Sequence, residues 1–133
     1  MKLIVCLDDS LGMAFNNRRQ SRDRAVIADV AEMTKGQKLY AYAYSEKLLS
    51  EGGVECEIIE AGSACDGYLF LETSSPDALI SEADGVVIYR WNRRYPADIF
   101  FGADLEKEGF KLASSEDIVG YSHEKITKET YVK

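Results

Sequence analysis

The sequence is poor in the residues that carry metal and nucleophile chemistry. It has one histidine, His123, among 133 residues, which excludes the histidine-rich clusters that hold catalytic zinc and makes any Ser- or Cys-based triad depend on that single ring. No Gly-x-Ser-x-Gly or catalytic-cysteine context supports such a triad, and His123, between Ser122 and Glu124, reads as a surface or hydrogen-bonded structural residue. Cys6, Cys56 and Cys65 are odd in number and show no Cys-x-x-Cys or Cys/His spacing, so neither a disulfide frame nor a metal is expected. Gly52-Gly53 has no phosphate-loop lysine behind it. The N-terminal apolar run, Leu3 to Leu7, is too short for a signal-peptide core or a membrane span and meets Asp8 and Asp9 at once. No membrane association is expected, and the chain reads as cytoplasmic. Positive charge is also scarce, with 16 Lys and Arg against 23 Asp and Glu and a net charge of -7. That balance excludes broad, sequence-independent binding to nucleic acid.

What is present is a chain with 46% hydrophobic residues, enough for one globular domain over residues 1–133. Its seven arginines fall into two clusters while nine lysines are scattered. The first is Arg18, Arg19, Arg22 and Arg24, grouped around Asp23. The second is Arg90, Arg93 and Arg94, within Tyr89-Arg90-Trp91-Asn92-Arg93-Arg94-Tyr95-Pro96. Arginine is favoured over lysine where a planar fork must hold phosphate or carboxylate, or must stay paired when partly buried.

In chain order, Leu3 to Leu7 is apolar at every position and predicts a central strand covered on both faces. Gly12-Met13 and Asn16-Asn17 predict a flexible loop. A helix follows, with Ser21 as N-cap, Val26, Ile27, Val30 and Met33 as the buried stripe, and Gly36 as its end. Leu39 to Tyr44 alternates as a second strand with three tyrosines on one face. Ser45 to Ser50 is a short helix closed by Gly52-Gly53. Val54 to Ile59 and Tyr68 to Leu71 are further strands, Asp77 to Glu82 a helix after Pro76, and Gly85 to Trp91 a strand. Phe110 to Ser114 and Ile126 to Val132 close the chain as a strand pair. The order predicts an α/β mixed sheet with flanking helices and antiparallel C-terminal strands. Glu72 and the set Glu55, Glu57 and Glu60 read as solvated faces.

Asp23 precedes Val26 and Ile27 by three and four residues and so points along the buried face of its helix. One reading is a first-turn acid favoured by the helix dipole. The other is a desolvated carboxylate at a pocket floor, steadied by neighbouring arginines and able to act as an acid or anchor.

Laid out this way, the chain resembles dihydrofolate reductase, with a shortened middle. The opening Leu3-Ile4-Val5-Cys6-Leu7-Asp8-Asp9-Ser10-Leu11-Gly12-Met13 is similar to that family's first strand and the start of its mobile loop, and Asn16-Asn17 falls where the family often has Asn-Gly. Asp23 falls close to the catalytic acid. Met33 to Lys38 resembles the family's helix end before a strand, and Ala83 to Tyr89, Asp98 to Phe101, Gly109 to Ser114 and Ser122 to Tyr131 follow its closing strands in order and spacing. The resemblance implies a single-domain reductase-like sheet. The family's cofactor grip, a Gly-Arg-x-Thr turn and a Gly-Gly pair, is replaced by Ala43-Tyr44-Ser45-Glu46 and Glu72-Thr73-Ser74-Ser75. Neither NADPH nor any other cofactor is therefore expected. Arg18-Arg19-Gln20 also stands in place of the usual Leu-Pro-Trp.

In that fold the active-site loop and the connection after the late strand lie side by side, which implies that the two arginine clusters converge. Asp8, Asp9, Asp23 and Asp98 are the internal counter-ions this would call on. The functional alternative is an anionic small molecule or nucleotide carrying phosphate, bound by Arg18, Arg19, Arg22, Arg24, Arg90, Asn92, Arg93 and Arg94, with Tyr89, Trp91 and Tyr95 stacking on a base. RNA is a second possible ligand of the same residues, and residual reductase activity a third reading. Short bacterial proteins with similar RRQSRDR and YRWNRRYP blocks carry a ribonuclease Z label, but one histidine cannot build that enzyme's two-zinc site.

Overall fold

A computed structural model describes all residues, 1–133. Because Leu3, Ile4, Val5 and Leu7 leave no polar face, β1 (Lys2–Leu7) lies between two parallel neighbours, β6 (Tyr68–Phe70) and β7 (Gly85–Arg90). Outside β6 run β4 (Leu39–Ala41) and β5 (Glu57–Ile58), also parallel. Outside β7 run β10 (Ile126–Val132) and β9 (Lys111–Ile118), both antiparallel to their neighbours. The seven-stranded order is β5-β4-β6-β1-β7-β10-β9. This is the mixed sheet with antiparallel C-terminal strands that the element order predicts.

Alternation along the buried strands divides the core into two layers. Leu3, Val5, Leu7, Leu69, Val86 and Ile88 pack on one side with Phe101 and Phe110. Ile4, Phe70, Val87 and Tyr89 pack on the other against Val26, Ile27 and Val30 of α1 (Arg24–Met33) and Leu49 of α2 (Glu46–Glu51). Each such aliphatic side chain contributes roughly 1.5–3 kcal/mol on burial. The two helices pack tightly enough that a Cβ on Gly52, the residue that ends α2, would collide with Ile27.

Several expectations need correction. The stretch after Gly12 is not a flexible loop but a hairpin, β2 (Gly12–Phe15) and β3 (Arg18–Arg19), which also pairs with β8 (Ile99–Phe100). Asn16 and Asn17 both take positive φ, 51° and 60°, the conformation of a tight hairpin turn, which asparagine tolerates well. The cap of α1 is Asp23, not Ser21, and the helix ends at Thr34, before Gly36. Strand β4 stops at Ala41 because Ala43–Ser45 winds into a 3-10 turn, so the tyrosines do not share one strand face. The helix predicted from Asp77 is a single 3-10 turn, Ile80–Glu82. The Asp77 carboxylate is turned instead to the amides of Gly102 and Ala103.

Candidate functional site

Asp23 is buried at the start of α1, where its Oδ1 caps the helix by accepting from the Ala25 amide at 2.9 Å. The same carboxylate gathers the loop before β10. Oδ1 accepts from the Tyr121 amide at 2.9 Å, while Oδ2 accepts from the Ser122 amide at 2.9 Å, the His123 amide at 3.1 Å, the Ser122 hydroxyl at 3.1 Å and meets the His123 ring Nδ1 at 3.0 Å. Burial alone pushes the carboxyl up, but the Tyr121 amide, the His123 ring and the Ala25 and Ser122 amides outweigh it and hold it well below the ordinary carboxylate range. Asp23 is thus ionised at neutral pH and has no proton to give. Its partners are amides, the Ser122 hydroxyl and an imidazole, not the neighbouring arginines that the sequence suggested.

The loop can approach this closely because residue 120 is glycine. A Cβ there would collide with the His123 carbonyl and lie 2.7 Å from Asp23 Oδ2. Gly120→Ala is therefore expected to cost about 2 kcal/mol of stability. Urea unfolding checks this, and a change below about 0.5 kcal/mol would show that the loop is not held as described.

His123 sits on the other side of the carboxylate. Since ionised Asp23 can only accept, it holds a ring proton on Nδ1, and in the neutral ring Nε2 is then an acceptor. Nε2 is 3.1 Å from the Ser21 hydroxyl and 2.9 Å from the Tyr95 hydroxyl. The buried ring stacks on Trp91, with centroids 4.5 Å apart and an interplanar angle of 22°, and meets Tyr95 edge-on at 6.3 Å. Ser21 and Tyr95 are half-buried. A second buried aspartate, Asp8, accepts from the amides of Ser10, Gly12 and Tyr95 and from the Gln20 side chain. It ties the end of β1 to the hairpin and to the Tyr95 backbone.

The arginines are not one constellation. Neighbours on a strand point to opposite faces, and Arg19 turns inward to Glu72, with Nε at 2.7 Å and a second bond at 3.0 Å, while its guanidinium lies 4.6 Å from the Tyr44 ring. Arg90 pairs with Glu129 at 2.7 Å, and exposed Arg22 reaches Glu51 at 4.0 Å. The internal counter-ions are therefore Glu72, Glu129 and Glu51, not Asp8, Asp9, Asp23 and Asp98. Glu72 is not a solvated face, since only 8% of its side chain is exposed. Arg18, Arg24 and Arg93 are exposed, form no ion pair, and Arg94 touches the Ser10 hydroxyl.

The stacking platform expected from Tyr89 and Trp91 is inside the protein. Tyr89 is fully buried and donates to Asp29, and Trp91 lies under His123. Asn92, with φ of 58°, donates to the Lys125 carbonyl and the Thr127 hydroxyl. Of the candidate residues, Arg18, Arg19 and Tyr95 share a cavity of about 470 Å³ with Phe15, Asn16, Gln20 and Pro96. Arg22, Asp23 and Arg24 border a second of about 650 Å³ between α1 and α2, which Glu51 also lines. Sequence reasoning passed over Ser21, Glu72 and His123 as site residues. The only available signal was that the chain's one histidine stands beside a serine.

This strand order, with α1 after the first hairpin and an antiparallel pair at the end, defines a dihydrofolate-reductase-like fold. The dihydrofolate reductase of Enterococcus faecalis, solved in complex with NADP(H) and RAB-propyl, superposes with a TM-score of 0.67 over 98% of this chain and 94% of that one, at 12% identity. The sequence matches no protein-family model and no curated protein. The residues where the resemblance places the cofactor grip do not fit a dinucleotide phosphate. Beyond β6 the Glu72 carboxylate, held by Arg19 and by the Ser45 hydroxyl at 2.8 Å, would repel it, and Tyr44 and Ser45 stand where glycine would let backbone approach. No helix is long and apolar enough to cross a membrane.

Proposed function

We propose that this protein binds a small anionic molecule bearing phosphate, of nucleotide size, in the cavity between the β2–β3 hairpin and the Tyr95-Pro96 segment, and that it is not an NADPH-dependent reductase. The observation that carries this reading is the cavity's lining, which includes the unpaired Arg18 and no acidic residue in a protein of net charge -7. Arg18 forms no ion pair and is free to fork onto a phosphate. Arg19 lines the same cavity but its guanidinium is committed to Glu72, so Arg18 is the anchor, and Phe15 and Tyr95 supply aromatic surface for a base. The cavity between α1 and α2 is larger but is also lined by Glu51 and Asp23, which disfavour an anion. With Tyr89 and Trp91 buried, the aromatic surface suits one base and not an RNA strand.

Thermal-shift titration with inorganic phosphate, nucleoside mono- and diphosphates, NADPH and folate tests this. A phosphate-bearing ligand other than NADPH is expected to raise the melting temperature. Arg18→Ala is expected to weaken that ligand roughly ten- to a hundredfold, the scale of one or two charged hydrogen bonds. Unaltered affinity in Arg18→Ala, or stabilisation by NADPH or folate alone, would overturn the proposal.

A further inference from the structure

Asp23, His123 and Ser21 are linked in series, with 3.0 Å between Asp23 Oδ2 and His123 Nδ1 and 3.1 Å between His123 Nε2 and Ser21 Oγ. We infer that Ser21 is a nucleophile activated by His123 and oriented by Asp23, and that the protein hydrolyses small carboxylic esters through an acyl-serine. The three roles follow from the hydrogen bonds. Asp23 is ionised and acceptor-only, so it holds the ring in the tautomer whose free nitrogen faces the serine. Trp91 below the ring and Tyr95 at its edge remove the ring's freedom to turn.

Ser21 sits in the irregular stretch between β3 and α1, where the backbone N–H groups of Ser21 and Arg22 make no hydrogen bond within the protein. The nucleophile's own amide and the one after it are donors of the kind that hold an oxyanion. A clasp that only fastened the loop to α1 would use Asp23 and the ring. With the Tyr95 hydroxyl at 2.9 Å already supplying the donor that a buried Nε2 needs, it would not require a second hydroxyl, from Ser21, there.

In the step itself, Ser21 Oγ bonds to the ester carbon as its proton passes to His123 Nε2, and the carbonyl π pair moves onto oxygen. Collapse of that intermediate breaks the bond to the alcohol, which leaves with the proton from Nε2. Water then attacks the acyl-serine by the same route, releasing the acid and restoring the hydroxyl. The second hydroxyl at Nε2, from Tyr95, is also 3.4 Å from Ser21 Oγ and can hydrogen-bond there when the ring is protonated.

The test is labelling of the purified full chain by an uncharged fluorophosphonate, read by intact mass and peptide mapping, alongside hydrolysis of p-nitrophenyl acetate. Because the probe is uncharged, the outcome is independent of the anion site. One adduct on Ser21 is expected. Labelling and turnover should fall at least a hundredfold in Ser21→Ala, which leaves the Tyr95 hydroxyl on His123 Nε2 and should melt close to the wild type, and in His123→Gln. No adduct on the wild type, or equal labelling of Ser21→Ala, would overturn the inference. Should His123→Gln fail to fold, Ser21→Ala decides alone.

Discussion

Asp23→Ala is expected to lower the unfolding free energy by about 4 kcal/mol, a large share of the stability of a domain this size. The substitution removes one charge, but the cost comes from what is left behind. The amides of Ala25, Tyr121, Ser122 and His123 and the His123 ring all donate to this carboxylate. Each buried donor left without an acceptor costs about 1–3 kcal/mol, and movement of the loop recovers part of that by letting in water. The damage should therefore be local as well as global. Hydrogen exchange at residues 121–123 should rise more than at β1, which does not touch the carboxylate. A urea-measured loss below about 1 kcal/mol would contradict the cradle.

The same carboxylate makes stability depend on pH, and the sign follows from its depressed pKa. A carboxyl whose pKa is lower folded than unfolded contributes stability that is fully present above the unfolded value, about 4, and is lost as pH falls toward the folded one. Asp8 acts in the same direction. Burial raises it, but the Tyr95, Gly12 and Ser10 amides and the Gln20 side chain lower it further. The urea midpoint of the wild type should fall as pH drops below about 4. The Tyr40 and Lys38 side chains lower Asp66 as well, and Asp23→Asn should show a shallower fall because one of these three carboxyls no longer titrates.

The central sheet was legible in the sequence because its signal is local. Leu3 to Leu7 and Gly85 to Tyr89 have no polar face, so only a doubly covered strand suits them, and β1 and β7 are paired side by side. The site was less legible, because proximity in sequence is a poor guide to proximity across a pleat. Arg18 and Arg19 are neighbours in the chain yet take opposite faces of β3, one toward solvent and one toward Glu72. The second cluster dissolves for a related reason, as Tyr89 and Trp91 continue a buried strand whose burial outweighs any use of their rings outside. Asp23 and His123 are 100 residues apart, and no spacing rule connects them. The hairpin turn was legible in principle, since two consecutive asparagines are a standard means of taking positive φ twice.

Glu72→Ala is expected to cost about 2–3 kcal/mol. Arg19 Nε and a terminal nitrogen grip this carboxylate, and the Ser45 hydroxyl donates to it. The geometry is the bidentate fork that distinguishes arginine from lysine. Burial pushes the Arg19 guanidinium down, and the Glu72 bonds and charge more than restore it, so the pair is what makes a half-buried cation tolerable. Arg19 keeps 22% of its side chain exposed, which lets water relieve part of the loss and sets the estimate below that for a sealed pair. If the harm lies in the stranded cation, removing both charges should hurt less than removing one. Arg19→Met with Glu72→Leu should recover at least about 1 kcal/mol relative to Glu72→Ala in urea unfolding. A double variant as unstable as the single one would mean that Glu72 supports the end of β6 through Ser45, and that the arginine is incidental to it.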